Sequence, residues 1–443
     1  MAVCHRAMKH RKSRNANFAK PRLKRFLTTL RQRPTSLAYT TCCLKLTVAP
    51  ARTSTSLSLT NMIDTVILSL PTNKAVILDM AAKGVFPWDL QSRTAAYDKY
   101  VRNPSQKDQK SGLYFPRITG FKRKQKRTFE VEKTIKIEFS APKLLYKNNV
   151  DELADSDFAA VVETLHERLQ MMGVVVTTKD LESAAVRAVH YSKNIELQNG
   201  YTSQYVISEL NKIDLNKRFD LTRARYMNDG QSLYAYTISN SLVIYDKVAD
   251  LIKDKKRAID KEQTPQQLNL FAQLTKPVQP REILRFETRL SQKQKMNSLF
   301  KELGFAENPT FRDVFSTAKS KAVMNRYWSK MVENGGTLLF GHSLTAKDLL
   351  KQILLAEKKA KPKEVIYRTG LLLLLREGNG MRELRSVLSK RSNDRTWYRL
   401  AIDAKETGAA LNKLKPREWF EQIKSAFTTY QPFKVDVKQS KVI

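Results

Sequence analysis

The 443 residues carry a formal charge of +36, with 79 Lys and Arg against 43 Asp and Glu, and 42% of them are apolar. That length and apolar share suit a folded protein of two ordinary domains rather than a disordered chain. The basic surplus asks for a polyanionic partner, nucleic acid first; a membrane-spanning segment is excluded, because the aliphatic run Leu371 to Leu375 falls far short of the roughly 20 residues a crossing helix needs.

The chain opens on a segment unlike the rest. Residues 1 to 61 hold 13 Lys and Arg and no Asp or Glu, together with all three cysteines, Cys4, Cys42 and Cys43. Three readings fit: an organellar targeting segment, a basic arm lying on DNA, or, the reading preferred here, an upstream start with Met62 as the true beginning. The basic surplus survives its removal. No cysteine spacing suits a zinc site or a disulfide framework, and a body without cysteine fits a reducing cytosol.

From Met62 the elements can be taken in order. Met62 to Pro71 reads as a strand ended by proline. Lys122-Arg123-Lys124-Gln125-Lys126-Arg127 lies between two strand-like runs as a hairpin tip, either solvated or set against phosphate. Ile135, Ile137 and Phe139 alternate with Thr134, Lys136 and Glu138, which predicts a strand with one buried and one wet face. Residues 155 to 190 read as helices broken near Gly173. A second β-rich block follows: a strand from Ile207 to Leu215, a turn at Asn228-Asp229-Gly230, and a hairpin of Leu233 to Ile238 with Leu242 to Asp246. A charged helix from Lys247 to Asp260, a proline-bearing loop from 262 to 280 and a strand from Ile283 to Leu290 complete it. From about residue 294 the pattern is helical. The expected class is therefore α+β: an antiparallel-sheet domain over 62–300 and a mainly helical C-terminal domain over 301–443.

Absences narrow the chemistry. The sequence has no Gly-x4-Gly-Lys-Ser phosphate loop, no cluster of zinc ligands and no serine nucleophile elbow. Its five histidines (His5, His10, His166, His190 and His342) include no His-x-His pair. What remains sits on the second β-block. Period 2 over 212–216 sets Asp214 with Lys212 and Asn216, opposite Ile213 and Leu215. In Arg285-Phe286-Glu287-Thr288-Arg289 it sets Glu287 with Arg285 and Arg289 and turns Phe286 to the core. Two carboxylates on polar strand faces suit one Mg²⁺ or Mn²⁺, and the flanking arginines suit phosphates. Tyr245 ends a third strand, a rigid and accessible place for a nucleophile, with Lys247 two residues on. The same pattern also fits solvated strand faces and an ordinary strand-end tyrosine.

The chain from Met62 resembles the replication initiators of filamentous phages and related elements, the gene II type. The resemblance rests on Met62-Ile63-Asp64 with Val66-Ile67-Leu68 and Leu70-Pro71, and on Glu138-Phe139-Ser140-Ala141-Pro142-Lys143-Leu144-Leu145 followed by Asn149 and Leu153. Ile213-Asp214, Leu242-Val243-Ile244-Tyr245-Asp246-Lys247 and Arg285-Phe286-Glu287-Thr288-Arg289 continue it in order. It covers residues 62 to 330 well and the rest loosely, with Arg395-Thr396-Trp397-Tyr398-Arg399 a fainter match.

The resemblance implies an antiparallel-sheet nickase of the rolling-circle kind, acting in the cytoplasm of a bacterial host. Tyr245 would attack one DNA strand and stay joined to its 5′ phosphate, with Lys247 orienting the phosphate. Asp214 and Glu287 would hold the metal and Asp246 takes no role, while His190 lacks a clear family match and reads as a satisfied or surface histidine sooner than a ligand. Partners would be duplex origin DNA, the displaced single strand, a host helicase and a DNA polymerase. Near the C-terminus Leu384, Val387 and Leu388, then Trp397, Leu400, Ala401 and Ala404 after the turn Ser392-Asn393-Asp394, fit either a helix-turn-helix carrying Arg395 and Arg399 or generic helical packing. An origin or operator binder without catalysis is the alternative function.

Overall fold

In the computed structural model, alternating strands build one broad antiparallel sheet against which the helices pack. The structure describes residues 60–77, 97–104, 112–124, 131–213, 223–227, 231–252, 281–339, 344–378, 380–388, 394–411 and 417–435, all within the unit Ser56–Ile443. The strands, in chain order, are β1 (Thr60–Asn61), β2 (Ile63–Pro71), β3 (Ala75–Ile77), β4 (Tyr97–Arg102), β5 (Arg117–Lys124), β6 (Val131–Ser140) and β7 (Leu153–Ala154). They continue with β8 (Val174–Val176), β9 (Ala185–Leu197), β10 (Arg223–Met227), β11 (Ser232–Tyr236), β12 (Asn240–Asp246) and β13 (Glu282–Leu290). Nine of them form one sheet in the order β10-β11-β12-β13-β9-β2-β6-β5-β4, and β1 pairs with β7 and β3 with β8 in two small ribbons.

One face of the sheet is apolar because every second residue is. Val66, Leu68 and Leu70 on β2, Ile135, Ile137 and Phe139 on β6, and Leu284, Phe286 and Leu290 on β13 are all buried. Helix Phe158–Met171 lays Val161, Val162, Leu165 and Leu169 into the same core. The long helix Thr317–Leu339 and the last helix, Glu418–Thr429, contribute Tyr327, Trp328, Trp419 and Phe427. Phe286, assigned to the core from its alternation, meets Trp328 edge-on at 5.7 Å and Phe427 at 5.3 Å. The helices Ala346–Ala356, Pro362–Arg376, Met381–Leu388 and Asp394–Ala410 gather around a second cluster of Leu349, Ile353, Leu372, Leu375, Trp397 and Ala404.

The α+β expectation with an antiparallel sheet and a helical C-terminal region is met. Two elements differ. The stretch read as helical up to residue 190 holds helix Phe158–Met171, β8, the short helix Thr178–Glu182 and then β9, the strand that joins the two halves of the sheet. Its residues are buried on both faces over much of its length, so polar His190, Ser192 and Asn194 broke the pattern an amphipathic strand would show. The predicted strand from Ile207 is instead helix Ser203–Asn211, started by Thr202, whose hydroxyl caps the Tyr205 amide. Val206, Ile207, Leu210 and Ile213 are buried at helical spacing. Lys212 therefore closes a helix, its ammonium on Glu209 and on the Arg376 carbonyl. Asn228-Asp229-Gly230, the stretch from 253 to 280 and Asp214 lie outside the described residues.

Where β2 hands over to β1, the edge of β9 loses its partner strand: Ser192 N–H donates to Met62 O, and Asn194 N–H donates to the Glu152 carboxylate instead. Glu152 also holds the Lys193 ammonium at 2.9 Å and the Phe433 N–H at 2.8 Å, and Asp151 takes the Val435 N–H. Both Glu152 and Lys193 are buried, so one carboxylate completes the strand edge and clamps the C-terminal segment. Glu152→Ala would leave the buried Lys193 ammonium without its counterion, still donating to the Gln431 carbonyl, and two backbone donors unsatisfied. A loss of about 3–5 kcal/mol is expected in urea unfolding; a loss below about 1 kcal/mol would contradict this role.

Candidate active site

The register of β12, β13 and β9 decides which polar residues meet. Tyr245 lies opposite Arg285, Val243 opposite Glu287 and Ser241 opposite Arg289. Across the other edge of β13, Arg285 faces Asn194, Glu287 faces Ser192 and Arg289 faces His190. Directly paired and alternate residues share a face, so Tyr245, Arg285, Glu287, Arg289 and His190 stand together on the side of the sheet away from Phe286. A register shift between Ile63 and Thr65 leaves Asp64 as the extra residue of β2, and such bulges re-aim a side chain. Here Asp64 Oδ1 reaches the Arg285 guanidinium at 2.9 Å.

Glu287 is the hub. The Tyr245 hydroxyl donates to its Oε2 at 3.2 Å, Arg289 Nε donates to its Oε1 at 2.8 Å, and His190 Nδ1 lies 3.7 Å from Oε1. Burial would raise the Glu287 pKa, but the charges of Arg289, Arg285 and His190 overcome it and hold the carboxyl below its ordinary value. Burial lifts the Tyr245 phenol well above its usual value; Arg285 opposes that and Glu287 adds to it. The phenol thus keeps its proton and points it at an ionised carboxylate. Burial lowers the His190 pKa, with Arg289 adding to the shift and Glu287 opposing it.

Arg285, 2% exposed, spans the site from below. Its guanidinium donates to Ser192 Oγ and to the Asn149 carbonyl, each at 2.6 Å, besides pairing with Asp64. Arg289 is more open, with a side chain 36% exposed. Lys247 begins helix Lys247–Ile252 directly after β12. It is 1% exposed, its ammonium lies 3.8 Å from Asp250 Oδ2 and 5.8 Å from the centre of the Tyr245 ring. Burial pushes it down to about 7, Arg285 and Lys143 adding to the shift and Asp250 and Asp64 opposing it.

The structure therefore brings Tyr245, Lys247, Arg285, Glu287 and Arg289 together. Asp214 lies outside the described residues, as do Lys126 and Arg127. Lys122, Arg123 and Lys124 end β5, which β13, β9, β2 and β6 separate from β12. Strand spacing puts that about 24 Å away across the sheet. Arg395 and Arg399 are exposed on helix Asp394–Ala410. Of the apolar set expected for two helices around a turn, Trp397, Ala401 and Ala404 are buried, but Val387 is 68% exposed. Its neighbour Arg385 stacks its guanidinium over Trp397.

Two members of the cluster went unassigned in the sequence, His190 and Asp64. His190 needed β9 to be recognised as a strand, and Asp64 needed a bulge that no local pattern announces. Among the described residues no three His, Cys, Asp or Glu side chains gather as a metal site. Glu287 offers one carboxylate of the kind that, with substrate phosphates, holds Mg²⁺, and its two oxygens here accept from Tyr245 and Arg289.

Antiparallel sheet with helices on its apolar side and a tyrosine–carboxylate–arginine cluster on its polar side defines the class of architecture. The family follows from comparison with known proteins: the pattern that describes the N-terminal part of the phage gene II replication-associated protein matches residues 62–308. That span takes in β2 to β13 and every residue of the cluster, and the chain belongs to this family of filamentous-phage gene II-type replication initiators. Comparison with curated proteins and with solved structures gave no match. No helix among the described residues is long and apolar enough to cross a membrane.

Lys247 yields a prediction independent of any substrate. Its pKa in the folded chain lies below the ordinary 10.5, so its burial penalty is full below about pH 7 and fades as pH rises towards 10.5. Lys247→Met is expected to raise the melting temperature at pH 7 by at least ~2 °C, with the wild type closing the gap as pH rises. A variant less stable than wild type at pH 7 would show that Lys247 is held as a favourable ion pair instead.

Proposed function

We propose that this replication initiator cuts one strand of a duplex origin with Tyr245 as nucleophile. The observation that carries the reading is the hydrogen bond from the Tyr245 hydroxyl to Glu287, on a sheet face lined by Arg285, Arg289 and Lys247. Tyrosine near its free pKa of about 10 is a weak nucleophile, and burial weakens it further here. The hydroxyl's existing hydrogen bond to Glu287 Oε2 orients it and gives its proton a path as the bond to phosphorus forms.

As the phenol oxygen attacks phosphorus, its proton passes along the existing bond to Glu287, the P–O3′ bond breaks, and the departing oxygen takes a proton from the Lys247 ammonium to become a 3′-OH. The products are a 5′-phosphotyrosine and a primer end for a DNA polymerase, with a helicase to open the duplex ahead of it. The phosphotyrosyl link conserves the diester bond, so a later 3′-OH can attack it and close a circle without ATP. Arg289 and Lys247 supply positive charge where the phosphate gains negative charge, which is where fixed charges assist most. Lys247 shifted towards neutrality takes up or releases a proton readily near pH 7. A divalent cation, Mg²⁺ or Mn²⁺, would be held by Glu287 Oε1 and the Asp214 carboxylate together with substrate phosphate, leaving Oε2 to the phenol, and when bound it would supply Lewis-acid polarisation of the scissile phosphate.

The test is nicking of a supercoiled plasmid carrying the cognate origin. Wild type is expected to convert it to open circles, and Tyr245→Phe to bind it while nicking falls by more than about a thousandfold. Chelation should arrest wild-type nicking and added Mg²⁺ or Mn²⁺ restore it. Equal nicking by Tyr245→Phe places the nucleophile elsewhere; tight binding with no nicking by either protein leaves an origin binder without catalysis.

A further inference from the structure

The polar face continues past the cluster. Strand β11 sets Tyr234 opposite Val243 and Ser232 opposite Tyr245, so Tyr234 lies diagonally across from Tyr245, about 7–8 Å away along the sheet. Tyr236 follows two residues on, opposite Ser241, and so on the same face. The two rings are stacked, centroids 4.7 Å apart with 18° between their planes. Both side chains are half-buried, not sealed into a core. Leu233 and Ala235, which alternate with them, are buried on the other side.

The surroundings are basic. Arg289, opposite Ser241, lies within electrostatic reach of both Tyr234 and Tyr245. On the outer side, β10 sets Arg223 opposite Tyr236 and Arg225 opposite Tyr234 in its register. Paired aromatic rings on a sheet face flanked by arginine positions match what a single strand of nucleic acid needs: π-faces for its bases and cations for its phosphates. Duplex DNA does not meet that need, because its bases are already stacked and paired. A protein partner is less well matched: among the described residues of β10 to β13, the carboxylate on this face, Glu287, is already held by Arg289.

We propose that Tyr234 and Tyr236 form a base-stacking platform for the unpaired DNA strand that leads to Tyr245, holding the bases within a few nucleotides of the scissile phosphate. This rests on Tyr245 being the nucleophile only for where the strand ends, not for the platform itself. The preformed ring pair accepts a base as a further plane of the stack, and Arg289 bridges from that base's phosphate to the cluster. The device selects strand state rather than sequence: a melted origin is held, and a closed duplex is not.

The test compares binding of the full-length chain to a short oligo(dT) and to a duplex of equal length, by fluorescence anisotropy. Tyr234→Ala and Tyr236→Ala are expected to weaken oligo(dT) binding by about 5- to 150-fold, the range for loss of one stacked base. Duplex binding should hold, and Tyr234→Phe and Tyr236→Phe should keep the wild-type affinity for both. An abasic nucleotide scanned along the oligonucleotide should cost affinity at one or two positions in wild type and nothing there in Tyr234→Ala. Folded Ala variants that bind oligo(dT) like wild type would overturn the platform, and so would equal loss on both DNAs or failure of Phe to rescue. The two claims separate cleanly. If Tyr245→Phe nicks normally while Tyr234→Ala loses oligo(dT), the platform stands without the nucleophile; if Tyr245→Phe is inactive while both Ala variants bind normally, only the platform falls.

Discussion

The arrangement turns on keeping one carboxylate, Glu287, ionised inside a protein face where water cannot solvate it. Taking a charge out of water costs several kcal/mol unless partners replace the lost hydration. Around Glu287 the partners are Arg289 on Nε, Arg285 one pair away on the same strand, His190 from β9 and the Tyr245 hydroxyl. Arg285 needs its own counterion, and the bulge in β2 supplies Asp64. Neighbouring strands from β12 across to β2 thus contribute to one charge balance, and a change at any member is felt at the tyrosine. Burial nonetheless lowers two cationic members of the neighbourhood, Lys247 to about 7 and His190. A site that keeps charges buried at a cost to stability is what a site shaped for chemistry looks like.

The apolar side of the sheet explains why the polar side is rigid. Phe286, between Arg285 and Glu287 in the chain, is locked against Trp328 and Phe427, so the strand that carries the hub cannot roll. The helix after Tyr245 is seated through Val248 and Leu251 on Val150, Ile283 and Val435. Val435 belongs to the C-terminal segment that Asp151 and Glu152 hold by its backbone. The last residues of the described chain are therefore packed under the segment that carries Lys247.

Much of this is legible in the sequence. Alternation identified β2, β6 and β11, each with a wetter and a drier face, and it put Phe286 and Glu287 on opposite faces of β13, although both are buried there. The same rule failed on β9, where both faces are buried and the polar residues mark an interior cluster instead of solvent. It also failed over 203–211, where a short amphipathic helix has apolar residues close enough together to pass for a strand; the Thr202 cap was the signal that distinguishes them. His190 and Asp64 were out of reach for a different reason. They join the site through cross-strand register and a bulge, properties of pairs of strands and not of any window of sequence. The stacked tyrosines of β11 are visible in the sequence as residues, but only the register makes them a pair on the face of Tyr245.

The most direct test of the central claim is the identity of the covalent bond. A single-stranded or supercoiled origin substrate labelled on both sides of the nick is treated with wild-type protein, digested, and the DNA-bearing peptide sequenced by mass spectrometry. The account predicts a peptide containing Tyr245 with its phenolic oxygen esterified to the 5′ phosphate of the downstream strand, and a free 3′-OH on the other. An adduct on a different residue, a 3′-linked adduct, or a nick with free 5′ phosphate and no protein attached would contradict it.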